Sequence, residues 1–126
     1  MIATNNKIDL VLNQHGKKGI QMMCEYYSQL SQFILETIWR RKRVRLNDLL
    51  ESASRELLPA SYNNLSWNVL QVKLDLEARG FITMDTATRF QRLPFIRLTR
   101  KGEKAIRDKH TIGTKHFYLL LMTEEF

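Results

Sequence analysis

LDLEARGFI, from Leu74 to Ile82, joins a helical pattern directly to a short apolar run through one glycine. Before it, apolar residues recur at the three- and four-residue spacing of an amphipathic helix over roughly residues 65–79. Gly80 can adopt the left-handed conformation that closes such a helix, so Phe81 and Ile82 can leave it as a strand. We therefore predict that the end of this helix and the start of the strand pack into one small core.

The residues before this stretch predict four further elements. We expect a short helix from Lys7 to Gly16 and a long amphipathic helix from Ile20 to about Arg41. A short strand at residues 44–46 leads to a helix over residues 48–58, for which Asn47 is a good N-cap.

The residues after this stretch predict a hairpin and one more helix. Residues 85–88 form the turn and residues 89–98 the return strand, in which Pro94 indicates an edge position or a bulge. Thr99 is expected to cap a helix over residues 100–109. The tail, residues 110–126, fits a short helix and a strand equally well.

This order of elements predicts a mainly α fold with a small β-wing, a winged helix-turn-helix. It comprises a three-helix core and a two- to three-stranded sheet, with an extra N-terminal helix and a C-terminal element. We expect residues 1–39 to be an N-terminal helical segment for dimerisation or the core, and residues 40–109 to be the winged helix-turn-helix domain. Residues 110–126 are expected to pack as a tail element on the domain or on a partner.

Two motifs resemble the bacterial MarR-like and PadR-like winged-helix transcriptional regulators. LDLEARGFI resembles the end of their recognition helix and the entry to the wing. IRLTRKGEKAI, from Ile96 to Ile106, resembles their wing exit and the start of the helix that follows. The resemblance covers about Arg40 to Lys109. It implies that the helix over residues 65–79 enters a DNA major groove while the wing contacts phosphates or the minor groove.

The early side chains of that helix are the candidates for base contacts, because Asn and Gln can make paired hydrogen bonds to adenine. The candidates are Asn63, Asn64, Ser66, Asn68 and Gln71. Asn63 and Asn64 fit a solvated turn or an N-cap equally well, and Ser66 can itself be the cap.

Cationic side chains in two places are the candidates for phosphate contacts. Arg89 and Arg92 lie nearest to the predicted wing tip. The other group has the dense spacing expected of a backbone contact, and it consists of Arg40, Arg41, Lys42, Arg43 and Arg45. A helix dipole also favours cations at a helix C-terminus, and a run of charges is often only a solvated face, so these cations need not bind phosphate.

Two apolar sets predict an interface with a partner. The first is a second apolar row on the long N-terminal helix, formed by Met22, Tyr26 and Phe33, and a partner subunit is its simplest occupant. The second lies opposite the core stripe of the helix over residues 65–79 and consists of Trp67, Leu70 and Leu74. Either that helix is rotated from our assignment, or another element covers this face, or the face binds a protein.

The composition favours an acidic partner and gives little support to catalysis. The formal net charge is +7, which suits nucleic acid or an anionic surface. The sequence contains one cysteine, no HExxH or CxxC motif and no glycine-rich phosphate loop. We therefore expect no enzyme activity, no metal and no cofactor. The sequence shows no signal-peptide pattern and no apolar run of the ~20 residues that span a bilayer, so we expect a cytoplasmic protein without a membrane partner.

Three hypotheses for the function follow. The first is a transcriptional regulator, a homodimeric winged-helix repressor that binds double-stranded DNA; the sequence does not identify a small-molecule effector. The second is a winged-helix module that binds a protein through the Trp67 face. The third is a nucleic-acid-binding protein without sequence preference, for which binding would depend steeply on salt.

Overall fold

The structure, a computed structural model, describes residues 7–13, 15–57, 64–85 and 95–112, with side chains as far as residue 109. Within these residues, the fold combines four helices with two small antiparallel sheets. In chain order the elements are β1 (Lys7–Val11), β2 (Lys18–Met23), α1 (Cys24–Arg41), β3 (Arg43–Val44), α2 (Leu46–Glu56), α3 (Leu65–Ala78), β4 (Ile82–Met84), β5 (Ile96–Leu98) and α4 (Arg100–Ile112).

The N-terminal part of the chain is a β-hairpin, so the prediction of a short helix from Lys7 to Gly16 was wrong. β1 and β2 pair antiparallel, and Ile8 lies opposite Met22. The turn between them uses Gly16 at φ +81°, a left-handed conformation that suits glycine, with its N–H donated to the carbonyl of Asn13. Leu10 is buried, whereas the alternate residues Lys7 and Asp9 of β1 are exposed.

The long helix α1 begins at Cys24, four residues later than the predicted start at Ile20, because residues 20–23 belong to β2. Its predicted end at Arg41 is confirmed. Lys42, at φ +72°, turns the chain out of the helix and into β3. The core face of α1 is buried along its length and includes Tyr27, Leu30, Ile34 and Ile38.

A short strand is present here as β3, but it covers residues 43–44 and not the predicted 44–46, because the next helix begins at Leu46. The N-cap of α2 is therefore Arg45, and the predicted cap Asn47 lies inside the first turn. Leu49 and Ala53 are the hydrophobic residues of α2 that are buried in the core.

The predicted closure of α3 at Gly80 is confirmed. Gly80 has φ +88°, its N–H is donated to the carbonyl of Glu77, and the N–H of Phe81 is donated to the carbonyl of Leu76. These two bonds form a Schellman motif, in which the residue after the glycine also makes an apolar contact with the last turn. Phe81 and Leu76 are both fully buried in the core. The helix thus ends abruptly at this turn, and β4 follows directly.

The start of α4 is fixed against this same turn. As predicted, Thr99 caps α4, because its Oγ1 accepts a hydrogen bond from the N–H of Gly102 at 3.1 Å. The hydroxyl of Thr99 also donates to the carbonyl of Gly80 at 2.6 Å, and its N–H donates to the carbonyl of Phe81 at 3.1 Å. The two sequence motifs that carry the family resemblance are therefore hydrogen-bonded to each other.

The second sheet has the strand order β3-β5-β4, with both pairs antiparallel. Its inner face, which includes Val44, Ile82, Ile96 and Leu98, joins the core formed by the helices. The predicted core stripe of α3 is confirmed, since Leu65, Val69, Val72 and Leu76 are buried. Of the predicted return strand 89–98, residues 96–98 form β5, and residues 89–94 lie outside the described residues, as do most of the predicted turn and residues 113–126 of the tail.

Candidate nucleic-acid interface

Five cationic residues at the end of α1 and around β3 form what we call the basic segment: Arg40, Arg41, Lys42, Arg43 and Arg45. Every one of these side chains is exposed. The last turn of α1 carries two of them, where the negative end of the helix dipole favours cations. Two contacts attach this end of α1 to α2, since Arg41 donates to the hydroxyl of Ser52 at 3.1 Å and Arg40 lies 4.0 Å from Glu56.

The sheet places two further residues beside the basic segment. Arg43 lies opposite Arg97 in the register, and the guanidinium carbons of Arg43 and Arg45 lie 4.2 and 4.9 Å from the centroid of the Phe95 ring. The sequence-based prediction of the site did not include Phe95, and it did not place Arg97 beside Arg43. The alternation of inward and outward residues from 95 to 98 was the available signal, but only the strand register brings these residues next to Arg43.

Some of the predicted base-contact residues of α3 are exposed, whereas others are buried or hydrogen-bonded within the protein. Asn64, the N-cap residue in the left-handed conformation, and Ser66 are exposed. Asn68 donates a hydrogen bond to the hydroxyl of Tyr26 at 3.1 Å. Gln71 is only 5% exposed and lies beside Gly19 of the hairpin, so its amide is not offered to a partner in this structure. The suggestion that Ser66 is the cap was wrong, and Asn63, Arg89 and Arg92 lie outside the described residues.

The base-contact candidates and the basic segment are not brought together. Asn68 contacts Tyr26 in the first turn of α1, whereas the basic segment begins in the last turn of the same helix. At a rise of about 1.5 Å per residue, Tyr26 and Arg41 are separated by roughly 22 Å along α1. Contacts with bases and contacts from the basic segment would therefore fall at separate places on a nucleic acid.

Of the predicted interface residues, one is buried in the core of its own chain and the others are half-buried or exposed. Met22 is 5% exposed and belongs to the core of its own chain, so it is not available to a partner. Tyr26 and Phe33 are half-buried and pack against that core. On α3, Trp67 is 55% exposed, and Leu70 and Leu74 are half-buried.

A buried carboxylate that the sequence-based prediction did not single out joins the hairpin to α1 and α3. Asp75 is fully buried and accepts hydrogen bonds from the Tyr27 hydroxyl at 2.6 Å, from Arg79 Nε at 2.9 Å and from the Val11 N–H at 2.8 Å. Burial raises the pKa of the Asp75 carboxyl, against the opposing effects of Tyr27 and Arg79. Burial and the charge of Asp75 raise the pKa of Tyr27 well above its usual value. Because the hydrogen-bond donors to Asp75 named here belong to the same chain, we infer that this network stabilises the fold.

Groups of three or more His, Cys, Asp or Glu side chains that could hold a metal ion are absent from the described part of the chain. In that same part, every helix is too short or too polar to cross a membrane.

Comparison with known proteins gives a family without an assigned function. No curated protein and no solved structure matches this chain. One family model, described as a family of unknown function (DUF6958), matches residues 7–93. This match includes the hairpin, the basic segment and all of α3, and it covers more than half of the chain. The chain therefore belongs to the DUF6958 family.

Proposed function

We propose that this protein is a transcriptional regulator that binds double-stranded DNA as a winged helix-turn-helix, with the basic segment on the phosphate backbone. The observation that carries this proposal is the exposure of all five cationic side chains of the segment, which lie together at the C-terminal end of α1 and around β3. A duplex carries one negative charge per about 1.7 Å of its axis, and cationic side chains that neutralise phosphates release condensed counterions. The net charge of +7 acts in the same direction.

The arrangement of α2, α3 and the second sheet supports the winged-helix assignment. The strand before α2 and the strands after α3 belong to one sheet, in the order β3-β5-β4, and α2 packs on α3. Under this proposal, β4, β5 and the connection between them form the wing. Residues 86–95 of that connection carry Arg89 and Arg92 and no acidic residue.

Base recognition is proposed for the N-terminal end of α3. Among the members of the predicted set that the structure describes, Asn64 and Ser66 are exposed. A short polar side chain at this end can reach base edges when a recognition helix enters the groove. We further propose a homodimer, which would present two such ends to a duplex. Sedimentation at several protein concentrations tests this part of the proposal.

The test uses fluorescence anisotropy with two labelled duplexes, the region upstream of the protein's own gene and a scrambled version of it, each at low and at moderate salt. We expect tighter binding to the native duplex, and we expect the difference to persist as salt rises. Equal, salt-sensitive binding to both duplexes would overturn the regulator and leave a nucleic-acid-binding protein without sequence preference. The absence of binding to either duplex would overturn the DNA proposal.

Variants separate the two kinds of contact. The double variant Asn64→Ala/Ser66→Ala should reduce the preference for the native duplex, because base contacts carry the sequence information. Arg45→Ala should weaken binding to both duplexes equally and reduce the salt slope by about one. Lys17→Ala is the matched control, since it removes one exposed positive charge from the hairpin turn, away from the basic segment.

A protein-binding module is the second candidate, and the exposure of Trp67 favours it. Trp67 is 55% exposed, and the neighbouring face of α3 carries the half-buried Leu70 and Leu74. Trp is among the residues that dominate binding energy at protein interfaces. Under this alternative, Trp67→Ala should abolish capture of a defined partner while DNA binding, if any, is unchanged.

A further inference from the structure

The outer face of the second sheet concentrates arginine side chains around one aromatic ring. Val44 and Ile96 are paired in the register and point into the core, so their neighbours Arg43 and Arg97 point to the opposite face. Arg45 and Phe95 continue the same alternation by one step on each side. Arg43, Arg45 and Arg97 are exposed.

Phe95 holds two of these side chains in place. The guanidinium carbons of Arg43 and Arg45 are 4.2 and 4.9 Å from the ring centroid, within the range of cation–π contacts. A guanidinium group on an aromatic face keeps its N–H donors free at its edges, because the contact uses only the flat side of the group. The ring therefore orders two arginines without using the donors that bind an anion.

The charges on this face are only partly neutralised. Arg97 forms an ion pair with Asp85, the residue that follows β4. Neither Arg43 nor Arg45 has a carboxylate partner in any ion pair formed within the described ranges. Like charges on adjacent strands repel each other, so this arrangement costs stability until an anion binds.

We propose that Arg43 and Arg45, ordered by Phe95, form a clamp for the sugar-phosphate backbone of a nucleic acid. This inference rests on the proposed function and specifies which residues of the basic segment bind phosphate and what positions them. Both guanidinium groups lie over the same Phe95 ring, close enough together to contact neighbouring phosphates of one nucleic-acid strand. Each guanidinium can donate two parallel hydrogen bonds to one phosphate. Phe95 acts as a positioning residue, without contacting the phosphate.

The test compares variants that keep every charge with variants that remove two. Phe95→Leu removes the ring but leaves the net charge unchanged, and we expect about three- to tenfold weaker duplex binding from the loss of two cation–π contacts. Phe95→Tyr is the matched control, because it keeps the aromatic face and should bind like the wild type. Arg43→Gln/Arg45→Gln should lower the slope of log K against log salt by about two, since each neutralised phosphate contributes about 0.9.

A fourth variant separates positioning from a general structural role. In the Arg43→Gln/Arg45→Gln background, Phe95→Leu should cause no further loss of affinity, because the ring has no guanidinium left to order. A further loss equal to that seen in the wild-type background would overturn the clamp and make Phe95 a stability residue. Urea unfolding of each variant without DNA shows whether the affinity changes follow changes in folding.

Two outcomes separate the clamp from the proposed function. If the wild type binds duplex and Phe95→Leu binds equally well, the clamp is overturned and the DNA proposal stands. If the wild type binds no duplex, the DNA proposal falls, and titration with inorganic tripolyphosphate then tests the clamp directly. Tripolyphosphate binding that is lost in Arg43→Gln/Arg45→Gln and weakened in Phe95→Leu would support an anion clamp for another phosphate-rich partner. The absence of such binding would overturn the clamp as well.

Discussion

Gly102 lies so close to the carbonyl of Phe81 that a Cβ at position 102 would overlap that oxygen. The oxygen cannot move away freely, because it also accepts the N–H of Thr99 at 3.1 Å. This contact explains why a glycine occupies the first turn of α4, although glycine is a poor helix former. It also joins the two motifs on which the family resemblance depends.

Gly102→Ala should therefore destabilise the protein although alanine is the better helix former. Overpacking a close contact typically costs about 1–3 kcal/mol, and we expect the upper part of this range because the clashing atom belongs to the backbone. Urea unfolding followed by circular dichroism measures the change. Arg100→Ala, an exposed position in the same turn, is the control and should change the free energy of unfolding by less than about 0.5 kcal/mol. Equal stability of Gly102→Ala and the wild type would contradict the close approach.

Asp75→Ala should cause a larger loss, because it leaves the Tyr27 hydroxyl, the Val11 N–H and Arg79 without their acceptor. Removing one partner of a buried charged pair costs about 3–5 kcal/mol. Asp108→Ala is the matched control, because Asp108 forms an exposed pair with Lys104, and such pairs contribute roughly 0–1 kcal/mol. Amide hydrogen exchange should also quicken in the hairpin of Asp75→Ala. If both variants lost the same small amount of stability, Asp75 would not be joining the hairpin to the helices.

The raised pKa of Tyr27 predicts a loss of stability at alkaline pH. The folded state holds the Tyr27 proton more tightly than the unfolded chain, in which tyrosine titrates near about pH 10. Stability from this difference is complete below about pH 10 and is lost as the pH rises toward the folded-state pKa. Urea unfolding from about pH 9 to about pH 11 should show a steeper fall for the wild type than for Tyr27→Phe. Parallel pH profiles for the two proteins would show that Tyr27 does not resist ionisation in the fold.

The parts of the fold that were predicted correctly depend on local signals. A glycine after a periodic apolar stripe specified the end of α3, and Thr99, a residue type favoured at helix N-caps, specified the start of α4. The short strand at Val44 followed from its alternation with charged neighbours. Each of these signals acts within a few residues, so the sequence pattern alone contains it.

The hairpin was mispredicted because its decisive contacts are distant in sequence. Ile8 and Val11 fit a helical spacing, while Ile8 and Leu10 fit a strand, and so few apolar residues cannot choose between the two periods. Pairing with residues 18–23 and the hydrogen bond from Val11 to Asp75 decide for the strand. The error extended to the candidate site, since the same hairpin lies beside Gln71, whose predicted base contact depended on an open face of α3.

The charged surface was predictable only in part, for the same reason. The density of cations from Arg40 to Arg45 is a local property of the sequence, and the structure leaves all of them exposed. Their association with Phe95 and Arg97 depends on the register of β3 against β5, which joins residues more than fifty positions apart. A sequence pattern cannot supply that register, so the aromatic ring at the centre of the arginines was missed.

Trp67→Ala tests whether the α3 face formed by Trp67, Leu70 and Leu74 is a protein-binding surface or part of the core. Since Trp67 is 55% exposed, its removal should change the free energy of unfolding by less than about 1 kcal/mol, with part of the loss offset by the higher helix propensity of alanine. Leu76→Ala, further along the same helix and fully buried, is the control and should cost about 2–5 kcal/mol. A small loss for Trp67→Ala, with duplex binding unchanged, would leave the face free for a protein partner and separate it from the basic segment. A loss as large as that of Leu76→Ala would make Trp67 part of the core and would remove the main support for a protein-binding module.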